Sequence, residues 1–332
     1  MCTLIVLHRC VPGRPLVVAA NRDEFFARPA EGPAVRRSRT GRILAPRDLE
    51  AGGTWVGLSE HGVFAGLTNL RPIAGARVGL LGEAGARGQS PSVGTLRSRG
   101  EVVMAALEAS SAAQAAESLA RLEPGVHNPF QLLVADGQSA SLVVYRESPQ
   151  VFPLEPGIHV VGNVVGNVVG NVVGNVVGNA EDERVATALG ASLAPVCAVE
   201  SDGKSFPGFE GIEGLIDTEE PRAQKLVRIR GQVEKLLTET GRDLFEGLAR
   251  ICREHVEEGD SCEPGVLPGR KSPFESTCVH VADRYGTRSS LLLELAEELP
   301  TSRFWTTDGP PCRRPFENRS FLLQELGVRP IA

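Results

Sequence analysis

The chain has 332 residues, 42% of them hydrophobic and 23% charged, with a formal net charge of −6. That composition belongs to a globular protein with a real core, and its acidic balance excludes a nucleic-acid footprint. No run reaches the ~20 apolar residues of a membrane span, and Arg36-Arg37-Ser38-Arg39 is a short basic stretch expected to be a solvated loop. The seven cysteines, at 2, 10, 197, 252, 262, 278 and 312, contain no C-x-x-C pair, so neither structural zinc nor any other metal is expected. Their odd number and wide scatter indicate reduced thiols and a cytoplasmic protein. The apolar start over 3–7 is interrupted by His8-Arg9, too early for a secretory signal. Residues 1–332 are read as one domain.

Residues 3–7 and 16–20 are short apolar runs joined across Pro12-Gly13-Arg14-Pro15, the pattern of a hairpin. The second run leads into Asn21-Arg22-Asp23-Glu24, so antiparallel pairing puts that tetrad at the sheet end that holds Cys2. Residues 51–59 and 62–69 predict a second hairpin turning at Glu60-His61-Gly62, and Asn69 closes it before a Gly- and Pro-rich loop over 72–91. The alanine-rich stretch 101–122 predicts one helix. Residues 130–135 and 140–145 pair across Asp136-Gly137. Residues 158–163 predict a strand that runs into five copies of Val-Val-Gly-Asn between Val160 and Asn179. A period of four suits neither strand nor helix. The repeat, at about 160–179, is expected to be an insertion, carried as a strand extension or loop at small entropic cost.

Helices are expected over 182–193 and over 242–256, the latter with Leu244, Phe245, Leu248 and Ile251 on one face. A surface loop follows over 261–273. A hairpin pairs 277–283 with 287–294 across Arg284-Tyr285-Gly286. An edge strand over 303–307 and a short helix over 321–326 end the pattern. Many antiparallel hairpins with helices in two or three groups predict an α+β layered domain. Neither βαβ alternation nor a phosphate-binding glycine fingerprint is present, and 94–100 lacks a strand-to-helix context, so no nucleotide site is expected.

Cys2 follows the initiator methionine directly. Removal of Met1 would leave a thiol and a free α-amine on one residue. An α-amine has an ordinary pKa of about 7.7–8.0, so it serves as a base near neutral pH and the thiol needs no catalytic histidine. The other reading of Cys2 is an ordinary buried strand cysteine. Arg22 could lower the thiol pKa, and Asp23 could accept a hydrogen bond from the amine and hold it. Otherwise the tetrad is a turn with a capping Asn or Asp, and Glu24 is read as structural. Asn69, at a strand end, could donate to an oxyanion, or could bond its own backbone. A second such asparagine is either Asn163, which closes the strand read from the left, or Asn179, which precedes the next element; the fixed distance from Tyr145 favours Asn163. Arg288, near Leu291 and Leu292, needs a carboxylate partner or an anionic ligand, a structural ion pair leading over a substrate contact.

An ordered set of segments carries a resemblance: Met1-Cys2, Ala20-Asn21-Arg22-Asp23-Glu24-Phe25, Arg28-Pro29, Arg47-Asp48, Gly52-Gly53-Thr54-Trp55, Leu67-Thr68-Asn69, Ser98-Arg99-Gly100-Glu101, Asn128-Pro129-Phe130 and Tyr285-Gly286-Thr287-Arg288-Ser289-Ser290. Together they resemble the NRDE family, the family of the transport and Golgi organisation protein 2, over nearly the whole chain. The resemblance implies a four-layer αββα sandwich of the N-terminal-nucleophile hydrolase type, with two antiparallel sheets between helical layers. The chain is more distantly similar to the cysteine branch of that fold, the choloylglycine hydrolases and penicillin V acylases, in which a mature N-terminal cysteine attacks an amide.

That likeness implies Cys2 as nucleophile, Asp23 orienting its amine and Arg22 tuning the thiol or meeting substrate. It also implies Asn69 and Asn163 (or Asn179) at the oxyanion and Arg288 nearby. The family's strand-end Ser-Asn is here Gly-Asn, multiplied by the repeat. Two functions follow. One is an amidohydrolase acting on a non-peptide amide or acyl small molecule without a cofactor. The other is a non-catalytic carrier or chaperone of haem or an acylated, lipid-like ligand, as implied by the association of eukaryotic members with haem mobilisation and lipid homeostasis.

Overall fold

Strict alternation in the first two strands, both faces of which are buried, sets the architecture. Along β1 (Cys2–Val11) and β2 (Arg14–Phe25), Leu4, Val6, Leu16, Val18 and Ala20 enter one apolar cluster, and Ile5, Leu7, Val17 and Ala19 enter another. A strand apolar on both faces belongs to a sheet covered on both sides. The computed structural model describes residues 2–70, 96–163, 168–169, 221–239, 241–255, 272–297 and 301–327.

Among those residues the first sheet has eight strands. Beside β1 and β2 lie β10 (Gly157–Val161), β11 (Val168–Val169), β13 (Tyr285–Leu295), β14 (Arg303–Asp308) and β15 (Glu317–Asn318), in the order β11-β10-β1-β2-β13-β14-β15, with β12 (His280–Val281) paired to β13. The second sheet is a seven-stranded meander: β3 (Ala30–Arg37), β4 (Arg42–Asp48), β5 (Val56–Ser59), β6 (Phe64–Asn69), β7 (Phe130–Ala135), β8 (Ala140–Tyr145) and β9 (Pro149–Leu154). Every ladder between these strands is antiparallel.

Three apolar clusters define four layers. One lies between the sheets, joining Leu4, Val6 and Val18 to Leu58, Phe64 and Leu133. The second packs α1 (Arg99–Leu107) and α2 (Ala112–Leu119) on the outer face of the meander through Val103, Leu107 and Leu119. The third packs α3 (Pro221–Thr238) and α4 (Leu244–Arg253) on the outer face of the first sheet through Leu226, Ile229, Phe245 and Leu248. The result is the αββα sandwich implied by the resemblance. A short α5 (Phe321–Leu326) inserts Leu322, Leu323 and Leu326 into the layer between the sheets.

Several elements depart from the pattern read in the sequence. The helix expected over 101–122 is two helices, because Ser111 caps the second by accepting from the Gln114 N–H and Asp136 accepts from the Ala112 N–H at 2.7 Å. The arginine-rich stretch is loop only in its second half: Arg36 and Arg37 end edge strand β3, and Ser38 and Arg39 follow in the turn to β4. That strand and β9 contain prolines, which suit an edge and mask a strand signal. β14 is not the edge, since β15 pairs with it. The 277–294 hairpin turns two residues early, so that Tyr285 and Gly286 stand in the ladder. Only glycine fits there, because a Cβ at Gly286 would overlap the Val279 carbonyl. The helix expected over 182–193 and most of the Val-Val-Gly-Asn repeat lie outside the described residues. The described parts of the repeat are its first copy, which ends β10 and carries Asn163, and β11, which pairs with β10 with Val168 opposite Val160. Among the described residues no helix is long and apolar enough to cross a membrane.

Candidate active site

Pairing of β1 with β2 sets Cys2 opposite Arg22, and pairing of β2 with β13 sets Arg22 opposite Ser289. Directly opposed residues in an antiparallel pair share a face. Cys2 and Arg22 therefore look with Leu4 and Ala20 into the space between the sheets. Asn21 and Asp23, one residue out of step, look toward the outer helices. The tetrad is thus not a turn but the end of a strand, and its alternation sends its members to two environments.

On the cleft side, Cys2 and Arg22 are buried, 9% and 5% exposed, at the wall of a cleft of about 480 Å³. The Arg22 guanidinium sits 4.0 Å from the centre of the Trp55 ring. A cation over an aromatic face is held without being neutralised. Burial lowers the Arg22 pKa, and the charges of Cys2, Glu24 and Asp48 oppose that fall. Leu291, Arg288 and Thr307 line other parts of the same cleft.

On the helix side, the Asn21 carboxamide donates to the carbonyls of Cys252 (2.9 Å) and Thr277 (2.8 Å), stapling α4 and the 277 segment to the strand. Asp23 is 1% exposed and accepts from the Thr287 hydroxyl at 2.6 Å. Burial raises its pKa, opposed by the charges of Lys225 and the chain terminus and by the Thr287 bond. Glu24 accepts from the Phe25 N–H at 2.9 Å.

Asn163 lies just past β10, beside the first strand. Its side-chain oxygen accepts from the Cys2 main-chain N–H at 3.0 Å, and its side-chain nitrogen donates to the Asn69 carbonyl at 2.5 Å. The turn that presents it is fixed from the other sheet: Thr68 and Gln131 both donate to the Gly162 carbonyl at 2.8 Å. Asn163 therefore bridges Cys2 and Asn69, and these contacts hold the cysteine main chain rather than leave the carboxamide free. Asn179, the alternative, lies outside the described residues.

Asn69 ends β6 opposite Phe130 and meets the site through its carbonyl. Arg288 differs from expectation. It occupies the irregularity where the β2–β13 register slips between Thr287 and Ser289, and it donates to the carbonyls of Phe25, Phe26 and Arg28. Three carbonyls do for it what a carboxylate was expected to do.

The Cys2 thiol pKa is raised by burial. The terminal ammonium and Arg22 pull it down, Asp23 pushes it up, and a backbone hydrogen bond from Asp23 lowers it. Two further charged groups, Arg99 and Lys225, act on the site. Arg99, at the start of α1, donates to the Pro129 carbonyl at 3.3 Å and feels the charges of Glu24, Arg28 and Cys2. Its helix start approaches the Gly52-Gly53-Thr54 segment so closely that a Cβ on Gly53 would sit 2.6 Å from the Gly100 carbonyl carbon. Lys225 on α3 is 3% exposed and acts on Asp23. Lys225 stands four residues before Ile229, on the face that α3 buries.

A family model described as Transport and Golgi organisation 2 matches residues 1–172. The Transport and Golgi organization 2 homolog of Mus musculus is 31% identical over 157 residues, 45% of this chain and 50% of its own length. The Homo sapiens homolog matches with the same identity and coverage. The chain thus spans about half the length of the curated relatives it matches. Among solved structures, a C2A mutant of conjugated bile acid hydrolase from Clostridium perfringens aligns over 96% of both chains, with 12% identity and a TM-score of 0.46. A Caenorhabditis elegans N-acylethanolamine-hydrolyzing acid amidase ortholog aligns over 49% of this chain and 70% of its own, with 12% identity and a TM-score of 0.34. With a family model covering more than half of its residues, this chain belongs to the Transport and Golgi organisation 2 family.

Proposed function

We propose that the protein is a cysteine N-terminal-nucleophile amidohydrolase acting on a non-peptide C–N bond, with Cys2 as nucleophile once Met1 is removed. The observation that carries this reading is the environment of one residue: Cys2 lies at the wall of a cleft, opposite Arg22, with its main-chain nitrogen held by Asn163. With Met1 gone that nitrogen is an amine. It takes the thiol proton as the sulfur adds to the amide carbonyl carbon. Asn69, through its side chain, is the oxyanion donor in this reading. The C–N bond then breaks, the leaving amine takes the proton from the α-ammonium, and an acyl thioester remains on Cys2. Water hydrolyses the thioester and restores the thiol. Asp23, anchored by Thr287, orients the α-amine, and Arg22 stabilises the thiolate. Arg22 and Arg288 favour an acyl amide with an anionic end.

The carrier reading has one observation of its own: burial keeps the Cys2 thiol above its ordinary pKa. A neutral thiol in a cleft with arginines and apolar walls is suited to holding an amphipathic anion, haem or an acylated lipid, rather than to attacking one. Peptide-resolved alkylation across pH, read by mass spectrometry, separates the two. Loss of Met1 with Cys2 reacting fastest of the cysteines supports the enzyme. Retained Met1 with an inert Cys2, together with a Soret shift on haemin titration, supports the carrier. Turnover of an amide substrate that survives Cys2→Ala would sink the hydrolase reading.

A further inference from the structure

On the helix side of the first sheet, away from the cleft, four residues distant in sequence meet. His255 follows α4, Cys278 and His280 stand in and just before β12, and Cys312 lies in the turn between β14 and β15. One ligand atom from each lies within 4.8 Å of all the others. The His280 Nε2 is 3.2 Å from the Cys312 sulfur and 3.6 Å from the Cys278 sulfur. The two imidazoles lie side by side, ring centres 5.1 Å apart.

These separations have a simple reading. A tetrahedral zinc ion with bonds of about 2.3 Å to sulfur and about 2.0–2.1 Å to nitrogen has sulfur–nitrogen edges of about 3.6 Å and a sulfur–sulfur edge of about 3.8 Å. The nitrogen–nitrogen edge is about 3.3 Å, so the observed cluster needs to close by no more than about 1.5 Å to reach that size.

The backbone around the cluster is already fixed. The Cys278 N–H donates to the Glu254 carbonyl at 3.0 Å, tying the strand to the residue before His255. The Arg313 and Arg314 N–H groups both donate to the Pro310 carbonyl at 2.9 Å, which tightens the turn that carries Cys312. A backbone hydrogen bond from Cys312 reaches the Cys278 sulfur, linking the two segments directly.

We propose that His255, Cys278, His280 and Cys312 form a structural site for one zinc ion. Two thiolates and two neutral imidazoles give a tetrahedral S2N2 set, the ligand chemistry of zinc. All four positions are filled by protein, so no place is left for water or substrate, and the ion acts as a clamp and not as a catalyst. Binding displaces one proton from each thiol, and the two thiolates balance the ion's charge. The clamp ties the end of α4 and the β14–β15 turn to the β12–β13 hairpin, whose Thr287 holds Asp23. No C-x-x-C motif announces it, because its ligands come from three parts of the chain and only the pair Cys278-Val279-His280 is local.

The test uses the full chain, reduced, stripped with a chelator and titrated first with Co2+ and then with Zn2+. One equivalent of cobalt should give the strong visible d–d bands of a tetrahedral ion and a thiolate-to-cobalt charge-transfer band, both erased by one equivalent of zinc. Cys278→Ser should abolish the charge-transfer intensity or halve it, while Cys10→Ser leaves the spectrum intact. Changes beyond the ligands of a zinc site cost about 10–100-fold in affinity, so loss of the exposed ligand in His255→Ala should cost at least ~100-fold. His255 is exposed, so that variant keeps the test open if Cys278→Ser fails to fold. A weak octahedral cobalt spectrum, unchanged zinc affinity in His255→Ala, or a Cys278–Cys312 disulfide in protein alkylated before reduction would each overturn the proposal.

Discussion

The two sheets are built alike and bury different chemistry. In the meander, buried polar side chains on central strands turn to the other sheet: Thr68 and Gln131 both donate to the Gly162 carbonyl. In the first sheet the ends of β2 and β13 bury Asn21, Arg22, Asp23, Thr287 and Ser290. A buried polar group without a partner costs about 1–3 kcal/mol, so each must be given a specific one. Asn21 has two carbonyls, Asp23 has Thr287, Ser290 has the Ala20 carbonyl, and Arg22 has the Trp55 ring. The meander supplies stability and a fixed wall, and the first sheet holds the polar groups that stability alone would not require.

Mutations should separate these roles. Phe64→Ala removes a 1% exposed ring from the layer between the sheets and should cost about 3–5 kcal/mol in denaturant unfolding. The pH profile of Cys2 alkylation in the folded protein should not move. A shifted profile would mean that the meander does more than support.

The first sheet should also show an acid weakness. Burial lowers the His159 pKa from 6.5 to about 4, although its ring nitrogen Nε2 meets the Glu155 carbonyl at 2.9 Å. Between those values the unfolded chain binds a proton that the folded one does not. Stability is therefore full above about pH 6.5 and falls as pH drops toward 4, by up to about 3 kcal/mol. His159→Gln should flatten that limb, and an unchanged slope in unfolding midpoint against pH would reject it.

Asn21→Leu keeps the size of the side chain and strips the Cys252 and Thr277 carbonyls of their donor, for an expected loss of about 2–3 kcal/mol. A thermal midpoint equal to that of the parent would show those carbonyls satisfied without Asn21. The smallest effect is expected from Trp55→Leu. The cation–ring contact is worth about 0.5–2 kcal/mol, and Arg22, no longer held, should stabilise the thiolate less. Alkylation of Cys2 should then require a higher pH, which Phe64→Ala does not cause.

How much was legible in the sequence follows from the range of each interaction. The β7–β8 hairpin and α5 are local: period-two alternation flanking Asp136-Gly137 and a compact Phe-Leu-Leu run fix them from neighbouring residues alone. β3 and β9 were missed because edge strands are half solvated and bear charges and prolines that read as loop. α3 was missed because charged residues interrupt its apolar face, including Lys225, whose place facing Asp23 only packing can reveal.

The sequence by itself placed the 21–24 tetrad at the sheet end that holds Cys2, because a hairpin pairs neighbouring runs; the ladder, with its shift between His8 and Val11, then set Cys2 opposite Arg22, and odd–even alternation divides Arg22 from Asp23. The tertiary structure alone decided the partners contributed from far along the chain. Asn163 stands beside Cys2, 161 residues away, because Thr68 and Gln131 of the opposite sheet grip the carbonyl before it. Identical Val-Val-Gly-Asn units carry no local signal to distinguish one asparagine from another. Arg288 found carbonyls at a register slip, and two histidines and two cysteines gathered from three segments. Periodicity encodes which face a side chain takes. Only the closure of long loops and the packing of one layer on another decide what it meets there.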